Sequence, residues 1–260
     1  MPILSIITIN RNNAEGLKKT ITSVVSQLNV DFNKDCEYII IDGASNDDSV
    51  DVIRSFKSNP EYKDRITYWI SESDTGIYNA INKGIKIANA NYLHILNSGD
   101  YYEPDALSTI IKNLRKNMPD LLMCAVNLWK NNCIQRTELR TENVLSESAI
   151  LHQGIFYKKE FHQQYGLYNE EIRYASDYDF CVKAFYNKNL KINYIYNPLI
   201  NFILGGVGET DISVKEFLEI QVKNNFIEPP KKRPFIIKLI KLFIPYGILL
   251  LKEKIICKIH

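Results

Sequence analysis

Leu4-Ser5-Ile6-Ile7-Thr8-Ile9-Asn10-Arg11 decides the fold: a β-branched apolar run stops at Asn10 in a polar loop, Asn10-Arg11-Asn12-Asn13. A short apolar run bounded by turn residues predicts a strand buried on both faces. Working outward, Leu17, Ile21, Val24, Val25 and Leu28 follow helical spacing, and residues 37–41 form a second apolar run closed by Asp42 and Gly43. A helix is expected from near residues 46–49 through Val52, Ile53 and Phe56, then a strand over 66–70, a helix over 77–88 and a strand over 92–96. Strands alternating with helices, each strand continuously apolar, predict an α/β fold with a mainly parallel, Rossmann-like sheet flanked by helices.

In such a sheet, ligands bind beyond the carboxyl ends of the strands. Residues 8–11, 42–48, 71–76 and 97–100 occupy those ends, and all four segments are polar, rich in Asp, Asn, Ser and Gly. One polar loop merely follows a strand; four at one edge of a sheet point to a ligand. Beyond Asp100 the pattern predicts a helix over 105–116, a strand over 121–126 and a polar, irregular region to Glu147. Strands over 152–157 and 192–196 then enclose a helix over 178–187, which starts at the pair Asp177 and Asp179.

The 260 residues carry 32 Lys+Arg and 30 Asp+Glu, a formal +2, so neither an acidic tail protein nor a basic nucleic-acid coat is expected. The sum conceals an asymmetry. From Lys231 to His260 there are eight basic residues and one acidic, a net +7, against −5 for the preceding 230 residues. Five scattered cysteines with no CxxC pair suggest reduced thiols in the cytosol. The N-terminus lacks a basic signal-peptide region, and no apolar stretch reaches the roughly 18 residues of a membrane span. Glu228-Pro229-Pro230 marks a boundary. The expected organisation is a domain over 1–228, with a donor half (1–104) and an acceptor half (105–228), followed by a basic segment over 229–260.

Asp100, in Leu96-Asn97-Ser98-Gly99-Asp100, suits a hard cation such as Mg²⁺ or Mn²⁺ that takes its other ligands from phosphates and water; an Asx turn is the alternative. Asp42 suits a nucleobase or ribose, or else a cap. Ser71-Glu72-Ser73-Asp74-Thr75-Gly76-Ile77-Tyr78-Asn79-Ala80-Ile81-Asn82-Lys83-Gly84 joins an acidic loop and a glycine turn to a helix N-terminus, an anion-binding feature. Neither GxGxxG nor GxxxxGK[ST] occurs, so phosphates would be handled by a metal and side chains.

These four segments, in this order, resemble the nucleotide-sugar half of family 2 glycosyltransferases with the GT-A fold, most nearly a subgroup making colanic acid, capsule and lipopolysaccharide. The resemblance covers residues 3–210 and implies inverting transfer of a single sugar from a UDP-sugar, or a GDP-sugar, to a glycan or an undecaprenyl-diphosphate-linked acceptor. Carried over, Thr8 and Asn10 lie beside the nucleotide, Asp42 contacts the base or ribose, and Asp74 and Asn82 lie near the donor sugar and diphosphate. Asp100 matches the last acid of the family's Asp-x-Asp metal motif, whose earlier acidic positions are Asn97 and Gly99 here. Asp177 matches the catalytic base, with Ser176 in place of the preceding Glu, and Asp179 is the alternative base, a helix cap or an acceptor contact. His152-Gln153 matches a His-Gln on the acceptor side. The Gln-x-x-Arg-Trp motif of processive relatives is absent.

Residues 231–260 interleave lysines with apolar residues, which suits an interfacial helix on anionic lipid and a peripheral place on the inner face of the cytoplasmic membrane. Packing on the body or a homodimer contact is the alternative. No nucleic-acid partner is expected. Two rival functions are a nucleotidyltransferase, whose Gly-rich loop after the first strand is missing, and a catalytically silent binding module or membrane scaffold.

Overall fold

The computed structural model describes residues 1–32, 34–149, 151–205 and 210–228. Strands β1 (Leu4–Asn10) and β2 (Cys36–Asp42) are buried at every position, as their apolar runs require. With β3 (Tyr68–Ser71) and β4 (Tyr92–Ile95) they form a parallel array in the order β3-β2-β1-β4. Helices α1 (Ala14–Val25), α2 (Ser49–Ser58) and α3 (Ile77–Ile87) connect them. The Asn13 side chain caps α1 by accepting from the Gly16 amide at 3.2 Å. Helix α3 lies tight on the sheet because Gly84 has no side chain: a Cβ there would sit 2.5 Å from Ile7 Cγ2.

The order of these strands matters for function. The chain leaves β1 toward β2 on one side and returns to β4 on the other, so a crevice opens beyond Asn10 where the winding reverses. Asn13 closes one end of it, its amide donating to the Ser98 carbonyl at 3.2 Å and to Ser98 Oγ at 3.0 Å.

The second half extends the sheet with mixed pairing. Strand β8 (Ile155–Lys158) runs antiparallel to both β4 and β6 (Leu121–Lys130). Strand β9 (Ile192–Ile203) runs parallel to β6, and the short β5 (Tyr101–Tyr102) pairs antiparallel with β9. Strand β7 (Cys133–Glu138) forms a hairpin with β6. Among the described residues the nine strands make one sheet, flanked in this half by α4 (Ala106–Asn117), α5 (Glu160–Tyr165) and α6 (Ser176–Phe185). The α/β class read from the sequence is therefore borne out.

Several local expectations are corrected. The third strand begins at Tyr68, not Ile66, because Thr67 N bonds the Tyr38 carbonyl at 2.9 Å from outside the ladder. Residues 152–154 form a 3-10 turn rather than the start of β8; the Gly154 amide bonds the Leu151 carbonyl at 2.9 Å and turns the chain. Helix α6 starts at Ser176, which puts Asp177 inside its first turn. The irregular region before Glu147 contains the β6–β7 hairpin, whose two-residue loop Asn131-Asn132 has φ of 53° and 59°; such a loop matches the twist of paired strands, and asparagine tolerates positive φ.

A second compact unit starts at Thr210, and its described part holds α7 (Asp211–Lys223). The Thr210 side chain caps that helix, accepting from Ser213 N at 3.2 Å. The basic segment 229–260 lies outside the described residues.

Candidate active site

The end of β2 is built around Asp42, which is fully buried. Its Oδ1 accepts from Asn10 Nδ2 at 2.7 Å and Ser45 Oγ at 2.6 Å; its Oδ2 accepts from Ser45 N at 3.0 Å and Ser71 Oγ at 2.6 Å. Burial works to raise its pKa, but the donors of Ser45, Ser71 and Asn10 together outweigh it and hold the carboxyl below its usual range. Asp42 thus ties together the ends of β1, β2 and β3. Asn10 Oδ1, also buried, has no partner in the structure, so this amide retains an acceptor at the crevice.

A second cluster gathers beyond β4. Burial pushes Asp100 up to about 7, opposed by the Ile203 amide, His152, Gln153 and Lys19; Ile203 N donates to Asp100 Oδ1 at 3.0 Å. His152 Nδ1 stands 3.1 Å from Asp177 Oδ2, and Tyr78 Oη donates to Asp177 Oδ1 at 2.8 Å. Burial lowers the His152 pKa, yet the Asp177 hydrogen bond and charge, helped by Asp100, raise it overall. For Asp177 burial raises the pKa, while His152, Tyr78 and the Tyr178 amide bring it below the usual carboxylate range. The two groups form an ion pair with Tyr78 as a third member.

The turn bearing His152 is held from beneath. His94 Nε2 lies 2.7 Å from the Gln153 carbonyl, and a carbonyl can only accept, so Nε2 carries the proton and Nδ1 accepts from Tyr102 Oη. Burial drives the His94 pKa down to about 3, which fixes this neutral tautomer.

The other candidates sit as follows. Asp74 Oδ1 accepts from the Gly76 amide at 3.1 Å, and its Oδ2 occupies the space a Cβ on Gly43 would need, 2.3 Å away. That places the acidic loop against the Asp42 cluster. Gly76, at φ 149°, makes the turn into α3. Thr8 is buried one residue pair beneath the end of β1, accepting from Tyr38 Oη at 3.0 Å. Asn82 is a strut: its amide bonds Tyr168 O at 2.9 Å, Glu170 Oε1 at 2.8 Å and Tyr168 N at 3.1 Å. Asp179 is buried and ion-paired with Lys183 on its own helix. Asn10, Asp42 and Asp74 are thus brought together, as are Asp100, His152 and Asp177. Tyr78, Ser45 and Ser71 join these clusters without having been singled out from the sequence, although each lies in a polar strand-end segment or in the quoted 71–84 stretch; Asn97, noted only as standing where the metal motif has an acid, joins them too.

The sequence pattern of Glycosyl transferase family 2 matches residues 5–177. The chain belongs to this family. It is a glycosyltransferase, which sets aside the nucleotidyltransferase and the silent module. Curated relatives agree: a "PGL/p-HBAD biosynthesis glycosyltransferase" of Mycobacterium bovis is 29% identical over 84% of this chain and 83% of its own length. The hyaluronan synthase of Pasteurella multocida is 27% identical over 87% of this chain but only 22% of that protein. Among solved structures, S. aureus TarS residues 1–349 in complex with UDP superposes with a TM-score of 0.66 at 16% identity, covering 85% of this chain and 66% of that one. A mannosyltransferase from Pyrobaculum calidifontis, in complex with GDP-Man and Mn²⁺, gives 0.63 at 16% identity, with 94% and 67% covered. The chain thus spans slightly under two thirds of the TarS structure. The fold is GT-A.

One of these solved structures holds Mn²⁺, so a divalent cation is the group this site would be expected to accommodate. Among the described residues no three His, Cys, Asp or Glu side chains converge as a metal cage. A Mg²⁺-like ion does not need one, because it is commonly held by one or two carboxylates plus phosphates and water. Asp100 fits that role: burial disfavours its charge strongly enough to lift its pKa, and a cation would relieve the cost.

Proposed function

We propose that this family 2 enzyme is an inverting transferase that moves a single sugar from a nucleotide-diphosphate sugar to a glycan or lipid-linked acceptor during bacterial surface polysaccharide synthesis. The observation that carries the reading is the ionised Asp177, held by His152 and Tyr78, with Asp100 acting electrostatically on the same histidine from the donor side. The neighbours bound to UDP and to GDP-Man support a nucleotide-sugar donor, and the relatives named for PGL/p-HBAD biosynthesis and hyaluronan synthesis support a glycan or lipid acceptor.

In this reading Asp177 accepts the proton of the attacking acceptor hydroxyl. As that O–H bond breaks, the oxygen bonds the anomeric carbon from the face opposite the diphosphate, and the nucleoside diphosphate leaves. Asn10 and Asp42 hold the nucleoside end of the crevice, and Asp74 and the start of α3 face the donor sugar and diphosphate. Asp100 would hold Mg²⁺ or Mn²⁺, which when bound neutralises charge on the departing diphosphate. His152 and Asp179 belong to the acceptor side. The segment 231–260 would keep the enzyme at the anionic inner face of the cytoplasmic membrane, where undecaprenyl-diphosphate-linked acceptors reside.

The test is nucleoside diphosphate release from UDP-glucose, UDP-galactose, UDP-N-acetylglucosamine and GDP-mannose with a lipid-linked acceptor extract. Wild type should turn over one of them, and excess chelator should abolish that turnover. Asp177→Asn should lose at least about 100-fold in kcat, in the range typical of a lost general base, and still bind UDP or GDP within about twofold. Normal turnover by Asp177→Asn would overturn the assignment of the base.

A further inference from the structure

We infer that His152 is the positioning residue of Asp177, bridging the base to Asn97 on the loop that carries Asp100. The inference rests on the reading of Asp177 as the base and adds what aims it. Asp177 receives a donor on each oxygen, Tyr78 Oη from α3 on Oδ1 and His152 Nδ1 from the 3-10 turn on Oδ2. Oδ1 also accepts from the Tyr178 amide at 2.9 Å, which fills it and keeps the carboxylate plane from rotating, so Oδ2 is the oxygen that keeps a lone pair for an acceptor hydroxyl.

The far side of the imidazole supplies the second, independent observation. His152 Nε2 lies 3.3 Å from the Asn97 side-chain amide, while Asn97 Oδ1 is buried without a partner. Oxygen and nitrogen of such an amide are interchangeable by a half-turn, and the hydrogen-bond network decides between them. As placed, Asn97 Nδ2 faces Nε2, and a His152 protonated on both nitrogens would meet Oδ1 there after the half-turn; in either orientation the imidazole bridges Asp177 to Asn97. Asn97 is three residues from Asp100, and the adjoining Gln153 side chain is near enough to Asp100 to work against the rise in its pKa. One rigid turn therefore fixes the base relative to the group on the leaving-group side.

The charges around His152 favour this double donor. Asp177 faces it from α6 and Asp100 from the loop after β4, Lys19 of α1 partly offsets Asp100, Tyr78 of α3 approaches through Asp177, and His94 of β4 is neutral. The backbone of the turn cannot drift, because His94 holds the Gln153 carbonyl and Gly154 packs on the Cys124 carbonyl. Precision of this kind is worth a great deal in transfer chemistry, where a misplacement of about 1 Å costs on the order of 100-fold in rate.

The experiment compares wild type, His152→Ala, His152→Asn and Asp177→Asn in the same nucleoside diphosphate release assay across pH, with UDP and GDP affinities as controls. In His152→Ala kcat should fall about 10- to 100-fold, with nucleotide affinity held within about twofold. The acidic limb of its kcat profile should move up by about one pH unit, since a partly buried carboxylate that loses a neighbouring donor titrates higher. His152→Asn, whose amide can replace Nδ1 toward Asp177, should recover part of kcat. An acidic limb that stays in place, or a rate loss matched by equal loss of nucleotide affinity, would overturn the inference. Should His152→Ala not fold, the limb is read in His152→Leu, which fills the space and likewise offers Asp177 no donor. Full activity of Asp177→Asn would instead remove the base assignment, a failure distinct from that of the bridge.

Discussion

At the scale of single residues, two histidines show how this chain spends burial on neutrality. His162 lies between the Gly166 carbonyl, 2.9 Å from Nδ1, and Tyr157 Oη, 2.9 Å from Nε2, and it stacks on Phe180 at 4.4 Å. Burial pushes its pKa down to about 4, as it pushes that of His94 to about 3. An unfolded chain binds protons at both sites below about pH 6.5 while the native chain does not, so the native state loses stability as pH falls from about 6.5 toward those lowered values. The raised pKa of His152 has the opposite sign: its stabilisation is present below about 6.5 and is lost as pH rises through its folded pKa, so it does not cancel the effect in this window. Asp100, pushed up to about 7, does oppose it: down to about pH 4 the native chain holds a proton there that the unfolded chain lacks, which offsets about one histidine. Two histidines against one carboxylate leave a net fall of up to about 1.4 kcal/mol per pH unit between about pH 6.5 and pH 5.0, read by denaturant unfolding. His162→Gln should flatten that slope, and a slope unchanged in this variant would mean that its imidazole is not held neutral. In the sequence, His94 is visible only as a lone polar residue within Tyr92–Ile95; nothing local tells that Tyr102 and Gln153 satisfy it.

At the scale of elements, the 3-10 turn His152–Gly154 joins stability to catalysis. A Cβ on Gly154 would lie 2.5 Å from the Cys124 carbonyl oxygen and 2.9 Å from Val126 Cγ2, and a backbone atom cannot swing aside as a side-chain end can. Gly154→Ala should destabilise by about 1–3 kcal/mol and lower kcat as well, because the displaced turn carries His152; unfolding curves and the transfer assay read the two effects. Unchanged stability would show that β6 yields at this point. The first hundred residues were legible because strands buried on both faces read as plain apolar runs and helices repeat at their own period. The second half was less so. Asn131-Asn132 is a hairpin signal inside a region whose polarity suggests only irregularity, and the strand expected over 192–196 stops short of Asn197-Pro198. The structure instead absorbs Pro198 in a bulge of β9, where pairing with β6 jumps from Ile195 opposite Cys124 to Ile200 opposite Val126, a place where proline is tolerated within a sheet.

At the scale of the whole molecule, the strand-end loops could be found one by one, but their meeting could not. Tyr78 and Asp177 are 99 residues apart and Asn97 and His152 are 55 apart, and only the antiparallel return of β8 beside β4 brings the acceptor-side turn to the Asp100 loop. What the sequence does state at this scale is the division of charge, a body of −5 and a segment of +7 from Lys231 onward. The described residues contain no helix long and apolar enough to cross a membrane; residues 231–260 lie outside them, and their sequence, with lysines between the apolar residues, suits an interfacial attachment. Each Lys or Arg near an anionic surface contributes about 1 kcal/mol, with a range of roughly one Debye length. The full chain should therefore co-sediment with vesicles containing phosphatidylglycerol, and the bound fraction should drop as salt is raised, while the chain ending at residue 230 should stay in the supernatant. Because Asn10, Asp42, Asp100 and Asp177 all lie in the body, the shortened chain should bind UDP or GDP within about twofold of the full one. Equal sedimentation of the two chains would place the membrane contact on the body, and loss of nucleotide binding on truncation would mean that the basic segment helps to build the donor site.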